Sequence, residues 1–320
     1  MITPNKLIKG QTIGIYSPSA SIKIAQSRID LCEKGISAIE KYGFTVKKGN
    51  CFNKSFFHMS AKAKERADEI HQLFLDTSVS AIFPTIGGHT ASQILPYLDM
   101  QLIKSNPKIF LGFSDSSLLA SYITEKTGLV TFHSVCDIAF GFGRLNRNDN
   151  PMKTKGDFST KSLWNTLTNK EYLKDKFTEW TPLIEGESTG ILIGGNIKGI
   201  QSLIGTPYEP KWEGKILYWE AMDQPHAIMQ SFVHLINAGV INKIEGLIIG
   251  KVSHLKDNFY NENEWMKIAD FIKYMLNDIK IPVIIDADIG HDIENITIPN
   301  GLLVRLHVTS NSAEVTPLLT

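Results

Sequence analysis

Cysteine is scarce in this chain, and the three present, Cys32, Cys51 and Cys136, are odd in number and show no C-x-x-C spacing. That argues against both a disulfide framework and a structural zinc site, and favours small buried hydrophobes. Net charge is also missing. With 33 basic and 33 acidic residues, no broad attraction to nucleic acid or to anionic lipid is expected, which leaves a small molecule or short peptide as the better partner. No apolar run reaches membrane-spanning length, and MITPNKLIKGQTIGIYS lacks the charged start, apolar stretch and cleavage site of a signal peptide, so a cytoplasmic protein with no membrane partner is expected. There is no H-E-x-x-H, no P-loop and no internal repeat, so neither a metal nor an organic cofactor is anticipated. What is present is ample core: 320 residues, 42% of them hydrophobic, suit a globular α/β protein of two domains.

Strand and helix patterns alternate through the first 140 residues. TIGIYSPS (12–19), FTVKKG, SAIFPT (80–85), KIFLGF (108–113) and LVTF read as strands. Between them, 25–42 carries Ile29, Cys32, Ile36 and Ile39 at helical spacing, and 60–76 repeats the period through Ala67, Ile70, Leu73 and Phe74. Such alternation implies right-handed crossovers and a mostly parallel, flavodoxin-like sheet whose functional loops lie at the carboxyl ends of its strands. Residues 141–180 are polar and weakly periodic, apart from a short helix expected near Ser162–Leu167. Beyond them, strands are expected at 191–193, 215–220, 246–252, 282–289 and 302–308, with helices at 224–237 and 263–276. The expected organisation is an N-terminal α/β domain over 1–145, a connecting segment and substrate loop over 146–185, and a mixed α/β domain over 186–320.

Within KIFLGFSDSSL (108–118), an apolar β-branched run stops at Gly112, presents Ser114 and continues as a helix. A strand feeding a helix through a tight G-x-S turn lifts the serine hydroxyl above the sheet and aims the next backbone N–H at the same point. The last glycine of the hydrolase elbow G-x-S-x-G is Ser116 here. A serine nucleophile needs a base, and the base needs a group that fixes its tautomer. His291 follows the strand-like PVIIDADIG, in the turn GHDIEN, where its ring can face a cleft or solvent. Glu220 ends the apolar run KILYWE, where a carboxylate is either paired in the interior or placed at a site. The order Ser114, Glu220, His291 matches that of the α/β-hydrolases. Cys136, three residues from His133, is a weaker candidate nucleophile. The acidic turn Asp286, Asp288, Asp292 and Glu294 is read as solvated, in preference to a cation site.

Six strings resemble the LD-carboxypeptidase family of serine peptidases, which includes muramoyl-tetrapeptide carboxypeptidases and microcin C immunity peptidases. They are GQTIGIYSPSA, IGGHTASQILPYLD (86–99), NPKIFLGFSDSSLL (106–119), LIGGNIKGIQSLIGTPYEP (192–210), ILYWE (216–220) and DIGHDIENITIPNG (288–301), and they stand in the family's order across most of the chain. The resemblance implies Ser114 as nucleophile, Glu220 as orienting acid and His291 as general base. It also implies an oxyanion hole from the backbone amides of Asp115 and of Gly88 in the Gly87-Gly88 turn. His89 follows that turn where many members have an aromatic or small residue, and Ser116-Ser117 replaces the usual Ile-Thr or Val-Thr. Gly87, His89 and Trp180 are implied as substrate-binding, Trp180 as a stacking partner for a base or as a domain-interface anchor. The implied reaction is cofactor-free amide hydrolysis by a homodimer, on a cell-wall peptide or on an aminoacyl-nucleotide. WTPLIEGESTGILIGGN lies closer to the immunity branch. The competing reading is a ligand-binding or sensor protein that keeps the fold without turnover.

Overall fold

The computed structural model describes residues 1–134, 156–254, 268–291 and 293–318, which form two compact units. The first comprises 1–174 with 296–301, the second 175–295 with 302–320. The stretch 146–185 thus divides between the two, after Lys174.

The first unit is built on β1 (Thr12–Tyr16), β2 (Thr45–Lys48), β3 (Val79–Pro84), β4 (Ile109–Gly112) and β5 (Thr131–His133). These run parallel in the order β2-β1-β3-β4-β5, with Ile298–Asn300 adding an antiparallel edge against β5. Parallel strands need crossovers, and the helices α1 (Gln26–Lys41), α2 (Ala63–Leu75), α3 (Met100–Ser105) and α4 (Ser117–Thr127) supply them. Helix α1 buries Cys32, Ile36 and Ile39 of the predicted stripe, with Leu31 beside them, while Ile29 is half-buried. Helix α4 is buried on nearly every side and ends at Gly128, whose φ of 73° is the left-handed stop favoured by glycine. Both Cys32 and Cys51 are buried, while Cys136 lies outside the described residues.

The polar stretch after β5 carries more structure than its composition suggests. A helix at Gly156–Trp164 and a π-helical turn at Asn165–Asn169 bury Leu163, Trp164 and Leu167. The helix expected near Ser162–Leu167 therefore starts earlier, and Trp164 stacks on Phe44 with ring centroids 4.8 Å apart, so that three apolar anchors fix the segment.

The second unit has seven strands among its described residues: β6 (Thr181–Ile184), β7 (Gly186–Asn196), β8 (Lys215–Asp223), β9 (Gly246–His254), β10 (Val283–Ala287), β12 (Leu303–Val308) and β13 (Ala313–Pro317), the edge strand Ile298–Asn300 being β11. Their order is β13-β12-β7-β8-β9-β10-β6; β7 to β10 are parallel, and β6, β12 and β13 are antiparallel additions. Strands β6 and β13 add to those that the apolar runs predict. TPLI and AEVTP are short and each contains a proline, as edge strands tolerate. One face of this sheet packs Ile193, Leu217, Trp219 and Ile249 against Phe232 and Leu235 of the helix Pro225–Asn237. Each fully buried side chain of this size contributes on the order of 1.5–3 kcal/mol. The helix expected over 263–276 is seen at Ile268–Met275, its first part lying outside the described residues. No helix among the described residues is long and apolar enough to cross a membrane.

Candidate active site

Ser114 stands two residues beyond β4, at the carboxyl edge of the first sheet, with φ at 52°. A non-glycine residue in the left-handed region is uncommon and costs on the order of 1–3 kcal/mol. The neighbours explain how the turn is held. Ser116 Oγ donates to the Phe113 carbonyl at 2.8 Å and accepts from the Phe113 N–H at 3.0 Å, while Ser117 Oγ donates to the Ser114 carbonyl at 2.6 Å. The two serines that depart from the family pattern therefore clasp the turn from inside. Gly112 is required for the same reason, since a Cβ there would lie 2.6 Å from the Ser116 carbonyl oxygen.

The turn after β3 meets the turn after β4. A Cβ on Gly87 would lie 3.2 Å from Ser114 Oγ and 3.7 Å from the Asp115 nitrogen, which brings the Gly87-Gly88 backbone alongside the serine. Gly88 is pressed against the loop after β1, where a Cβ would lie 2.4 Å from Ser19 Oγ. His89 is exposed. The carboxylate of Asp115 turns away from Ser114 to accept from the Thr90 and Ala91 N–H groups at 2.9 and 3.0 Å. Gly87, Gly88, Ser114 and Asp115 are thus brought together within one unit.

Glu220 and His291 belong to the second unit, and there they are paired. Glu220, at 0% exposure, places Oε2 2.6 Å from His291 Nδ1, and its Oε1 accepts from Asn196 Nδ2 at 3.0 Å. As a carboxylate Glu220 only accepts, so Nδ1 carries the proton and Nε2 is the basic nitrogen. The register explains the meeting: Asn196, the last residue of β7, is paired with Glu220 within β8. The His291 turn is held by Asn295, whose Oδ1 accepts from the Gly290 N–H and whose Nδ2 donates to the Gly290 and Ile293 carbonyls.

Trp180 is 5% exposed and donates Nε1 to Asp288 Oδ2 at 3.0 Å. Asp288 also accepts from the Phe177 and Thr178 N–H groups and from Thr178 Oγ, with Lys251 Nζ 3.3 Å away. The reading of the acidic turn as solvated is corrected here. Asp288 is buried because a carboxylate gathering several N–H and O–H donors is stable inside; Glu294 is buried as well, while Asp286 is exposed and Asp292 lies outside the described residues. Among the described residues, no group of three or more His, Cys, Asp and Glu side chains is arranged to hold a metal ion.

Sequence reasoning missed Asn196, Asn295, Thr90 and a buried arginine, Arg66. Arg66 carried a signal, since it lies four residues before Ile70 on the apolar face of α2, where a charge is out of pattern.

Comparison with known proteins gives these features a family. The LD-carboxypeptidase N-terminal domain matches residues 13–134 and the LD-carboxypeptidase C-terminal domain residues 189–306. A putative carboxypeptidase of Vibrio cholerae serotype O1 is 28% identical over 321 residues, covering 94% of each chain. The microcin C7 self-immunity protein MccF of Escherichia coli is 27% identical over 335 residues, covering 97% of this chain and 94% of its own. The solved structure of MccF in complex with glutamyl sulfamoyl guanosine aligns with a TM-score of 0.84 at 25% identity, over 99% of this chain and 98% of that one. Matched in order by both domains over most of its length, the chain belongs to the LD-carboxypeptidase family.

Proposed function

We propose that this protein is a serine peptidase of the LD-carboxypeptidase type that hydrolyses an amide bond through an acyl-enzyme, with Ser114 as nucleophile, His291 as general base and Glu220 as the group that orients the base. The observation that carries this reading is Ser114 itself, a serine held at φ 52° directly after a buried strand and beside the Gly87 backbone. His291 Nε2 takes the Ser114 proton as Oγ adds to the carbonyl carbon, and returns it to the departing amine. Water then adds to the ester by the same base catalysis and releases the acid, with the serine proton restored. The backbone N–H groups of Gly88 and Asp115 receive the oxyanion in both halves.

For the substrate, we favour an aminoacyl-nucleotide. Support comes from the likeness to MccF, solved with glutamyl sulfamoyl guanosine, over nearly the whole chain. In this reading His89, exposed after the paired glycines, contacts substrate at the rim, and Trp180 orders residues 177–180 from the interior through Asp288. A second reading, an L,D-carboxypeptidase acting on cell-wall peptides, is favoured by the family description and by the Vibrio cholerae relative. Under either reading the working form is taken as a cytoplasmic homodimer that needs no cofactor, as the family resemblance implies.

The test is hydrolysis of an aminoacyl sulfamoyl adenylate and of an L,D-tetrapeptide by the wild type and by Ser114→Ala, followed by mass spectrometry. Cleavage of the nucleotide, lowered more than about 10³-fold by the substitution, is expected. Cleavage of the tetrapeptide alone selects the second reading. Binding without cleavage of either makes the protein a ligand-binding member of the family.

A further inference from the structure

Between the turns at the carboxyl edge of the first sheet lies a polar network that the proposed chemistry does not use. Its hub is Thr90. The Thr90 N–H donates to Ser19 Oγ at 2.9 Å and to Asp115 Oδ2 at 2.9 Å; its hydroxyl lies 3.0 Å from Ser19 Oγ. Beneath it, Arg66 rises from α2 with 0% exposure. One guanidinium nitrogen of Arg66 donates to the Thr90 carbonyl and to Thr90 Oγ1, each at 3.2 Å, and to the Pro18 carbonyl; the other donates to Gln93 Oε1 at 2.8 Å.

A buried guanidinium is costly unless its donors are met, and a planar fork meets acceptors on two loops at once in a way that an ammonium does not. Here the fork spans the loop after β1 and the loop after β3. Asp115 closes the circuit from the turn after β4. The acceptors of Arg66 are neutral, and Asp115 supplies the nearby opposite charge.

We propose that Arg66, Thr90 and Asp115 form a positioning network that sets the turn bearing the Gly88 amide against the turn bearing Ser114 and the Asp115 amide. This inference rests on the reading of Ser114 as nucleophile and of those two amides as oxyanion donors. None of the three side chains touches the reacting atoms; they act through the backbone. A misplacement of either turn lowers stabilisation of the oxyanion, which exists only along the reaction path, and leaves ground-state binding largely intact.

The experiment compares Asp115→Ala, Asp115→Asn, Arg66→Lys and Thr90→Val with the wild type, on whichever substrate the wild type cleaves. kcat is expressed per active site, counted from the burst of first product, and thermal unfolding is followed in parallel. Asp115→Ala is expected to lower kcat by about 10–100-fold with KM changed by less than about threefold. Asp115→Asn, which keeps an acceptor oxygen, restores most of it. Arg66→Lys, retaining the charge but losing the fork, falls between them, as does Thr90→Val. If the variants lose stability or active fraction while kcat per site stays at the wild-type value, the network is merely structural and the inference is overturned. It is overturned equally if Asp115→Asn is as impaired as Asp115→Ala. Failure of the underlying reading has a different signature: Ser114→Ala would retain turnover, whatever the network variants do.

Discussion

Two buried carboxyl groups, Glu69 in the first unit and Glu220 in the second, are used in opposite ways. Glu69, on α2 of the first unit, accepts from backbone only: Oε2 from the Ser17 N–H and Oε1 from the Cys51 N–H, each at 2.6 Å. Glu220, on β8 of the second, bonds to side chains, Asn196 and His291. A carboxyl that gathers backbone N–H groups fixes where loops run; one that gathers side chains fixes how an imidazole ring is turned. The same division runs through both regions. In the first unit, Ser114 is placed by backbone geometry, its strained φ and the close approach at Gly112. In the second, the His291 ring is placed by side-chain hydrogen bonds.

Substitutions at the two carboxyls test this contrast most sharply. Glu220→Gln should lower kcat by about 10²–10⁴-fold, because the amide no longer stabilises a protonated His291, while thermal stability changes little. Unchanged turnover in a well-folded variant would remove Glu220 from the machinery.

Glu69 should instead appear in stability. Burial pushes its pKa up to about 7 from 4.5, against the pull of the two N–H donors. The folded protein therefore keeps a proton that the unfolded chain has already released, so the contribution of Glu69 is full below about pH 4.5 and is lost as pH rises through about 7. Measured by urea denaturation, the wild type should lose up to about 3 kcal/mol relative to Glu69→Gln between pH 5 and 8. A difference independent of pH would contradict this account.

Backbone dependence of the first region predicts that Gly112→Ala costs about 1–3 kcal/mol by overpacking the Ser116 carbonyl, and lowers activity without removing any functional group. A variant with wild-type unfolding and turnover would show that the turn is not fixed by this approach. The smallest expected effect is that of Asn196→Ala. It leaves Glu220 with one fewer donor and also removes the cap that Asn196 Oδ1 gives the Lys198 N–H, costing about 1 kcal/mol in stability together with a modest fall in kcat.

Much of this was legible in one dimension. Burial on both faces makes parallel strands read as continuous apolar runs, so TIGIY, SAIFP and ILYWE announce themselves, and the helical stripes of α1 and α2 follow the 3.6-residue period. Less legible were segments fixed by a few anchors. Helix Gly156–Trp164 depends on Leu163 and Trp164 amid polar neighbours, and β6 and β13 depend on partners far away in the chain.

For the candidate site, sequence by itself determined which residue types stand where apolar runs stop: Ser114 after a glycine-terminated strand, Glu220 at the close of KILYWE, His291 in the turn after another strand. Such a stop is a local property, although β8 itself runs on past Glu220 to Asp223. Tertiary structure alone decided what each carboxyl and cation meets. Nothing in the sequence distinguishes Asp288, buried among five donors, from the exposed Asp286 two residues earlier. Nor does it say that Arg66 reaches Pro18 and Thr90. Hydrogen-bond partners of buried charges are set by sheet order and register, which join residues distant in sequence, and that information exists only once the chain has folded.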